Sequence, residues 1–278
     1  MNYRHSFHAG NSADVVKHSL LIALVRALQH KDSALTLIDT HAGCGLYDLA
    51  GADAQRTGES AQGVVRAFAD QNPLLDDYRA AVAAVNAGAD LAAGPQLYPG
   101  SPRFLAQFLR PQDSLILNEK HPEDIHALRG AMRGTSAAVH QRDAYEFWLA
   151  MLPTKTPRGV VVVDPPYEQT DERARITATL AAAQRKWAHG VTVIWYPLKD
   201  RATHERWKQQ LRKLGIPKAH CPASREKPYE RERHKERRSS QDGAELWHLE
   251  AVTAADEQHD SCDYYERIDK RIRNDFML

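Results

Sequence analysis

The chain has 278 residues, of which 42% are hydrophobic and 26% charged; this is ordinary globular usage and excludes a wholly disordered or membrane-embedded protein. Lys plus Arg (37) nearly balance Asp plus Glu (36), for a net charge of +1, so the chain is no polycation and any polyanion must be held by a local patch. Three cysteines, Cys44, Cys221 and Cys262, are too few and too scattered for a disulfide framework or a CxxC metal site.

The opening residues, MNYRHSFH, lack the apolar stretch of a signal peptide, and no run of about 18 apolar residues follows. A soluble, cytoplasmic protein is expected. In chain order, residues 12–30 read as a helix capped by Ser12, followed by a short apolar strand at 35–39 (LTLID). Residues 50–100 interrupt the rhythm with an Ala-rich helical stretch at 74–87 that Gly88 is placed to end. Beyond them come a helix at 101–110, a strand at 114–119 (SLILNE), a helix at 122–132 and a weaker strand at 137–142. A valine-rich strand at 159–164 (GVVVVD), a helix at 171–187, a strand at 191–196 (VTVIWY) and a helix at 202–214 complete the pattern. Short apolar strands alternating with helices predict an α/β fold with a mainly parallel, doubly wound sheet. The domains expected are 1–49 (N-terminal segment and first strand), 50–100 (helical insertion), 101–218 (remainder of the sheet domain) and 219–278 (charged tail).

Three strands end in carboxylates, Asp39, Glu119 and Asp164. Ligands of open parallel sheets bind at the strand carboxyl ends. The first strand runs into Asp39-Thr40-His41-Ala42-Gly43-Cys44-Gly45, where glycine lets backbone approach a ligand. It is not a full GxGxxG, and no GK[ST] follows, so a phosphate cradle is poorly supported. Glu119 stands where a carboxylate holds ribose hydroxyls, which suggests an adenosine-containing cofactor without a pyrophosphate. Asp164-Pro165-Pro166-Tyr167 directly follows the valine run. Its prolines fix φ and remove two backbone donors, leaving carbonyls free to face a ligand. Asp164 and the Pro165 carbonyl would accept the two hydrogens of an exocyclic amino group, and Tyr167 would stack on the ring that carries it.

The DPPY stretch at 164–167 resembles the signature of amino-group methyltransferases that use S-adenosylmethionine. Residues 3–11 (YRHSFHAGN), with Asp14, Lys17 and His18, then Asp39-Thr40-His41-Ala42-Gly43 and Tyr98-Pro99-Gly100-Ser101-Pro102, closely resemble the bacterial 23S ribosomal RNA adenine-N6 methyltransferases, over roughly residues 1–218. The resemblance implies a Rossmann-like class I fold acting as a monomer. It implies that Lys17, His18, His41, Gly43 and Ser101 lie against S-adenosylmethionine, that Glu119 binds its ribose, and that Asp143 with Ala144 contacts its adenine. Asp164 is then the catalytic residue, assisted by Pro165 and Tyr167 and itself in contact with the cofactor. Tyr3 and Arg4 are then placed to meet the RNA, with Arg56, Arg66 and Arg103 as further candidates for its phosphates. No metal is expected, although His5, His8, His18 and His41 include common ligand types, because methyl transfer from a sulfonium needs none.

The carboxyl end departs from the family pattern, which closes the sheet with an antiparallel hairpin. After His220 the chain reads CPASREKPYERERHKERRSSQDG, charged and poor in β-branched residues. The expectation is a sheet without its closing strands and a tail that is frameshifted or solvated. DPPY alone also leaves open a DNA adenine-N6 methyltransferase, and the aberrant terminus leaves open an RNA-binding homologue with impaired catalysis.

Overall fold

The computed structural model describes residues 4–198, 201–214, 218–220 and 246–253. A short 3₁₀ turn at His5–Phe7 leads into α1 (Ser12–Leu28), which is capped by Asn11: its side chain accepts from the Asp14 N–H. Ser12 is therefore the first helical residue and not the cap, because the Asn11 carbonyl oxygen already reaches that donor. Strands β1 (Leu35–Asp39) and β2 (Leu46–Asp48) follow, then α2 (Ala52–Thr57), α3 (Val64–Ala69), α4 (Asp76–Val85) and β3 (Leu97–Pro99). The remaining elements are α5 (Ser101–Gln107), β4 (Ser114–Asn118), α6 (Pro122–Ala131), β5 (Ala138–His140), α7 (Ala144–Ala150), β6 (Arg158–Val163), α8 (Glu172–Lys186), β7 (Gly190–Leu198), α9 (Arg201–Lys213), β8 (Lys218–His220) and β9 (Leu246–Thr253).

The main sheet has the order β5-β4-β1-β6-β7-β9-β8. The first five strands in that order are mutually parallel, and β9 runs antiparallel to both β7 and β8. From β1 the chain steps outward through β4 and β5, then crosses back to β6 on the other side. The topological switch point therefore lies at the carboxyl ends of β1 and β6, where open sheets bind ligands.

The strand alternation explains the two cores. Leu35 and Leu37 of β1 and Val160 and Val162 of β6 face the core built with α1, whereas Ile38, Val161 and Val163 face the one built with α7, α8 and α9. Helices on both faces account for the continuous apolar runs in these strands. The α1 helix is buried nearly all round, because the 50–100 segment covers its other side with Val64, Tyr78 and Val82. That segment begins and ends in a ribbon that sequence reading missed, in which Leu46, Tyr47 and Asp48 of β2 pair with Pro99, Tyr98 and Leu97 of β3.

The expectation that the sheet lacks its closing strands is corrected here. Strand β9 pairs with β7 along eight residues, from Val191 opposite Thr253 to Leu198 opposite Leu246, and β8 pairs with its far edge. The residues responsible, LWHLEAVT, are rich in the aromatic and β-branched types that suit strands, and they lie beyond the charged stretch on which the expectation rested. The boundary at 218 therefore cuts through the sheet. The frameshifted or solvated reading of 221–245 and 254–278 lies outside the described residues. Among the described residues no helix is long and apolar enough to cross a membrane.

Candidate active site

A cleft of about 550 Å³ opens over the carboxyl ends of β1, β4 and β6. Its wall on the α1 side is a buried ion cluster. Lys17 Nζ lies 2.8 Å from Asp164 Oδ2 and 2.9 Å from Asp14 Oδ1. Asp14 Oδ2 also accepts from the Gly10 N–H and contacts His5 Nε2 at 2.9 Å. Burial works against both charges, but the mutual attraction wins: Asp14 is held well below the usual carboxylate range by His5 and Lys17, and Lys17 is held above the usual lysine range by Asp14 and Asp164. His18, one position on, lines the cleft and hydrogen-bonds Tyr98 Oη through Nδ1 at 2.8 Å.

At the β1 end, Asp39 is fully buried beneath the cleft. It accepts from Ser101 Oγ at 2.6 Å and from the His41 N–H at 3.1 Å, and burial pushes its carboxyl up to about 6. Burial pushes His41 down to about 4, so its ring is neutral at pH 7. The turn needs Gly43, which has φ +59°; a β-carbon there would stand 2.3 Å from Tyr47 Oη.

Glu119 closes the β4 side. Its Oε2 accepts from the Gly43 N–H at 2.9 Å and its Oε1 from the His121 N–H at 2.8 Å, while burial raises its carboxyl pKa. Asp143 caps α7 through the Tyr145 N–H. Arg175 and Lys120 reach the same carboxylate at 3.0 and 3.3 Å and lower its pKa against the opposing effect of burial. Ala144 follows in the wall, with Tyr145 beside it. The Tyr145 ring carries the Arg175 guanidinium 4.2 Å from its centroid, and its hydroxyl donates to the buried Glu172.

At the β6 end, Asp164, Pro165 and Pro166 line the cleft. Tyr167 does not. Its ring packs on the core behind the sheet and its hydroxyl donates to the Trp195 carbonyl at 2.9 Å. With φ 53°, Tyr167 adopts the left-handed conformation unusual for a non-glycine residue. The turn after the prolines ties the hydroxyl to β7, while the ring itself is half-buried.

The cleft therefore gathers Lys17, His18, His41, Gly43 and Ser101 with Glu119, Asp143, Ala144, Asp164 and Pro165. Arg4 stands apart, paired with Glu123 on the surface at 3.0 Å, and Tyr3 lies outside the described residues. Of the other expected phosphate contacts, Arg56 lies over the Phe7 ring and Arg103 donates to the Ala131 carbonyl. Sequence reading placed Asp14 in a motif and Asp39 at a strand end without assigning either a role, and it passed over Tyr145, Glu172 and Arg175. The spacing of Asp14 and Lys17, one helical turn apart, is the signal that was available. No three His, Cys, Asp or Glu side chains converge as metal ligands among the described residues.

A protein-family model described as Ribosomal RNA large subunit methyltransferase D, RlmJ matches residues 32–234. Ribosomal RNA large subunit methyltransferase J of Escherichia coli (strain K12) is 38% identical over 221 residues, 78% of each chain. The protein of the same description from Haemophilus influenzae (strain ATCC 51907 / DSM 11121 / KW20 / Rd) is 35% identical over 224 residues, again 78% of each. A crystal structure of a protein from Legionella pneumophila str. Philadelphia 1 is 25% identical and superposes with a TM-score of 0.75, over 96% of this chain and 93% of its own.

Proposed function

The chain belongs to the family of Ribosomal RNA large subunit methyltransferase D, RlmJ, and on that premise we propose that it transfers the methyl group of S-adenosylmethionine to the N6 amino nitrogen of an adenine in 23S ribosomal RNA. The observation that carries this reading is Asp164: a carboxylate at the switch point, fixed by Lys17 at 2.8 Å and lining the cleft beside Pro165. Family membership also selects RNA over DNA as the polymer, a choice that the DPPY stretch left open.

The donor set fits such a cofactor. Among the cleft side chains, carboxylates such as Asp14, Glu119, Asp143, Asp164 and Glu172 outnumber the cations Lys17, Lys120 and Arg175. A negative cleft suits a sulfonium and an ammonium and repels a pyrophosphate. When bound, S-adenosylmethionine supplies an electrophilic methyl on a positive sulfur. Glu119, already oriented by two backbone N–H groups, would hold the ribose hydroxyls with its remaining lone pairs. Asp143 and Ala144 would flank the cofactor adenine, and His18, His41, Gly43 and Ser101 would surround its amino-acid end.

Asp164 and the Pro165 carbonyl would accept the two amino hydrogens of the target adenine and so aim its nitrogen lone pair. Orientation of this kind is worth about 7 to 11 kcal/mol of barrier. The amine need not be deprotonated before attack, because its proton becomes acidic once the nitrogen carries the methyl. Lys17 holds Asp164 in place through the 2.8 Å contact, and Tyr167 supports the loop from behind. Tyr3 and Arg4 would meet the RNA. A monomer acting on ribosomal RNA in the cytoplasm completes the reading.

The test is incubation with methyl-labelled S-adenosylmethionine and unmodified 23S rRNA, followed by mapping of the label. Label on the N6 of one adenine supports the reading, and label on another atom or on DNA alone overturns it. The Asp164→Asn variant should keep cofactor affinity within a few-fold yet lose about 100- to 1000-fold in rate, as expected when a preorganised polar group is removed.

A further inference from the structure

Two buried hydroxyl chains end on the imidazoles of His18 and His41. Tyr78 Oη lies 3.3 Å from Tyr98 Oη and donates to it. The Tyr98 oxygen thus receives a proton, and its own proton is available for His18 Nδ1, 2.8 Å away. Nδ1 is then an acceptor, and the proton of a neutral His18 ring sits on Nε2, the nitrogen left for the cleft that His18 lines. Phe104 fixes this geometry: it stacks with Tyr78 at 5.5 Å, lies 4.6 Å from the His18 ring and meets Tyr98 edge-on at 6.1 Å.

The second chain runs the other way. Thr40 Oγ1 lies 2.8 Å from the Val162 carbonyl, which can only accept. The Thr40 proton must therefore lie in that contact. His41 Nδ1 stands 2.8 Å from the same Oγ1, and a proton fills this second contact only if Nδ1 carries it. The His41 Nε2 then bears a lone pair.

We propose that His18 and His41 are held as opposite tautomers, so that the cleft receives an N–H donor from His18 and a lone-pair acceptor from His41, with Tyr78, Tyr98 and Thr40 as the positioning residues that set this polarity. Burial keeps both rings neutral, since it lowers the pKa of each. A neutral donor and a neutral acceptor in one negatively charged cleft match a zwitterionic ligand, whose carboxylate takes the N–H and whose ammonium or hydroxyl donor takes the lone pair. This second step rests on the S-adenosylmethionine reading, where the amino-acid end is such a group. Tyr78 belongs to α4 and Tyr98 to β3, so the helical insertion takes part in defining the cofactor site and does more than cover α1.

Imidazole nitrogen NMR of the intact chain without cofactor reads the tautomers directly. The expected result is protonated Nε2 in His18 and protonated Nδ1 in His41; the reverse assignment for either ring overturns the proposal. In Thr40→Val the acceptor for His41 Nδ1 is gone, and the ring should revert to the Nε2–H form that free imidazoles prefer, with S-adenosylmethionine binding weakened by about 10-fold or more, the scale of a lost charge-assisted hydrogen bond. An unshifted tautomer in this variant sinks the proposal. For the tyrosine chain, affinities for S-adenosylmethionine and its decarboxylated analogue are compared in Tyr98→Phe and Tyr78→Phe. The preference for the carboxylated form should shrink in both, more in Tyr98→Phe; equal weakening of the two ligands would mean a purely structural role. Tyr78→Phe keeps the test open if Tyr98→Phe does not fold. A wild-type chain that binds neither ligand would overturn the cofactor reading while leaving the tautomer assignment standing on its own measurement.

Discussion

Lys17 Nζ is shared between Asp14 Oδ1 at 2.9 Å and Asp164 Oδ2 at 2.8 Å, so one buried ammonium ties α1 to the loop after β6. The two carboxylates are 150 residues apart in the chain and would repel each other without it. Lys17→Met should therefore be destabilising by about 3 to 5 kcal/mol, the cost of breaking a buried pair from one side, and should cut methyl transfer by releasing Asp164. Arg is no substitute, because its planar fork cannot occupy the site of a point charge. Thermal unfolding and a methylation assay on Lys17→Met and Lys17→Arg check both halves; a variant with wild-type stability would show that the cluster is solvated in solution.

Glu119 has both carboxylate oxygens committed to backbone donors, Gly43 N–H and His121 N–H. Replacement by alanine should consequently do more than weaken the cofactor. Leaving those donors short of partners costs about 1 to 3 kcal/mol each where they are buried, so the melting temperature should fall together with cofactor affinity. Glu119→Gln should rescue only part of the stability, because its amide nitrogen would face one of the two N–H groups. Equal melting temperatures for wild type and Glu119→Ala would show that these backbone contacts contribute nothing to stability.

What was legible in the sequence follows the physics of each element. The run GVVVVD reads as a buried strand because both its faces are covered, and Asp39, Glu119 and Asp164 read as a site because parallel strands deliver their ends to one edge. The β2–β3 ribbon was hidden, since three residues per strand are too short for an alternating pattern and their partners are separated by the whole insertion. Strand β9 was passed over because the charged stretch before it dominated the reading, although LWHLEAVT carries the right residue types. Asp39 was visible as a strand end, but its buried bond to Ser101, 62 positions on, has no local signature. The Tyr167 hydroxyl bond was hidden for the same reason: its partner is a backbone carbonyl on the next strand.

That partner gives Tyr167 a different mutational profile from a stacking residue. Tyr167→Phe would leave the Trp195 carbonyl without the donor it has at 2.9 Å, a loss of about 0.5 to 1.5 kcal/mol, and would loosen the loop that presents Asp164 and Pro165. Stability and turnover should both fall modestly in Tyr167→Phe and further in Tyr167→Ala, where the packing behind the sheet goes too. Calorimetry and initial rates on the two variants decide it. A silent Phe variant beside a damaged Ala variant would restore the stacking role.

Asp39 is the clearest source of pH-dependent stability in the site. Its folded pKa is about 6 against an ordinary value of 3.8, so between these values the folded chain holds a proton that the unfolded chain has released. Stability from this group is therefore greatest below pH 3.8, declines as pH rises towards 6, and stays at the lower level above. Asp39→Asn removes the penalty, so the variant should gain on wild type at pH 8 relative to pH 4 by up to about 3 kcal/mol, the equivalent of that shift. His41 works in the opposite direction, since its folded pKa of about 4 lies below the ordinary 6.5, and its contribution is lost as pH falls through that window. Because His41 is present in both proteins, its effect largely cancels in the difference between variant and wild type. Denaturant unfolding of the two at several pH values measures that difference, and a gap that does not widen with pH would mean that Asp39 titrates normally despite its burial.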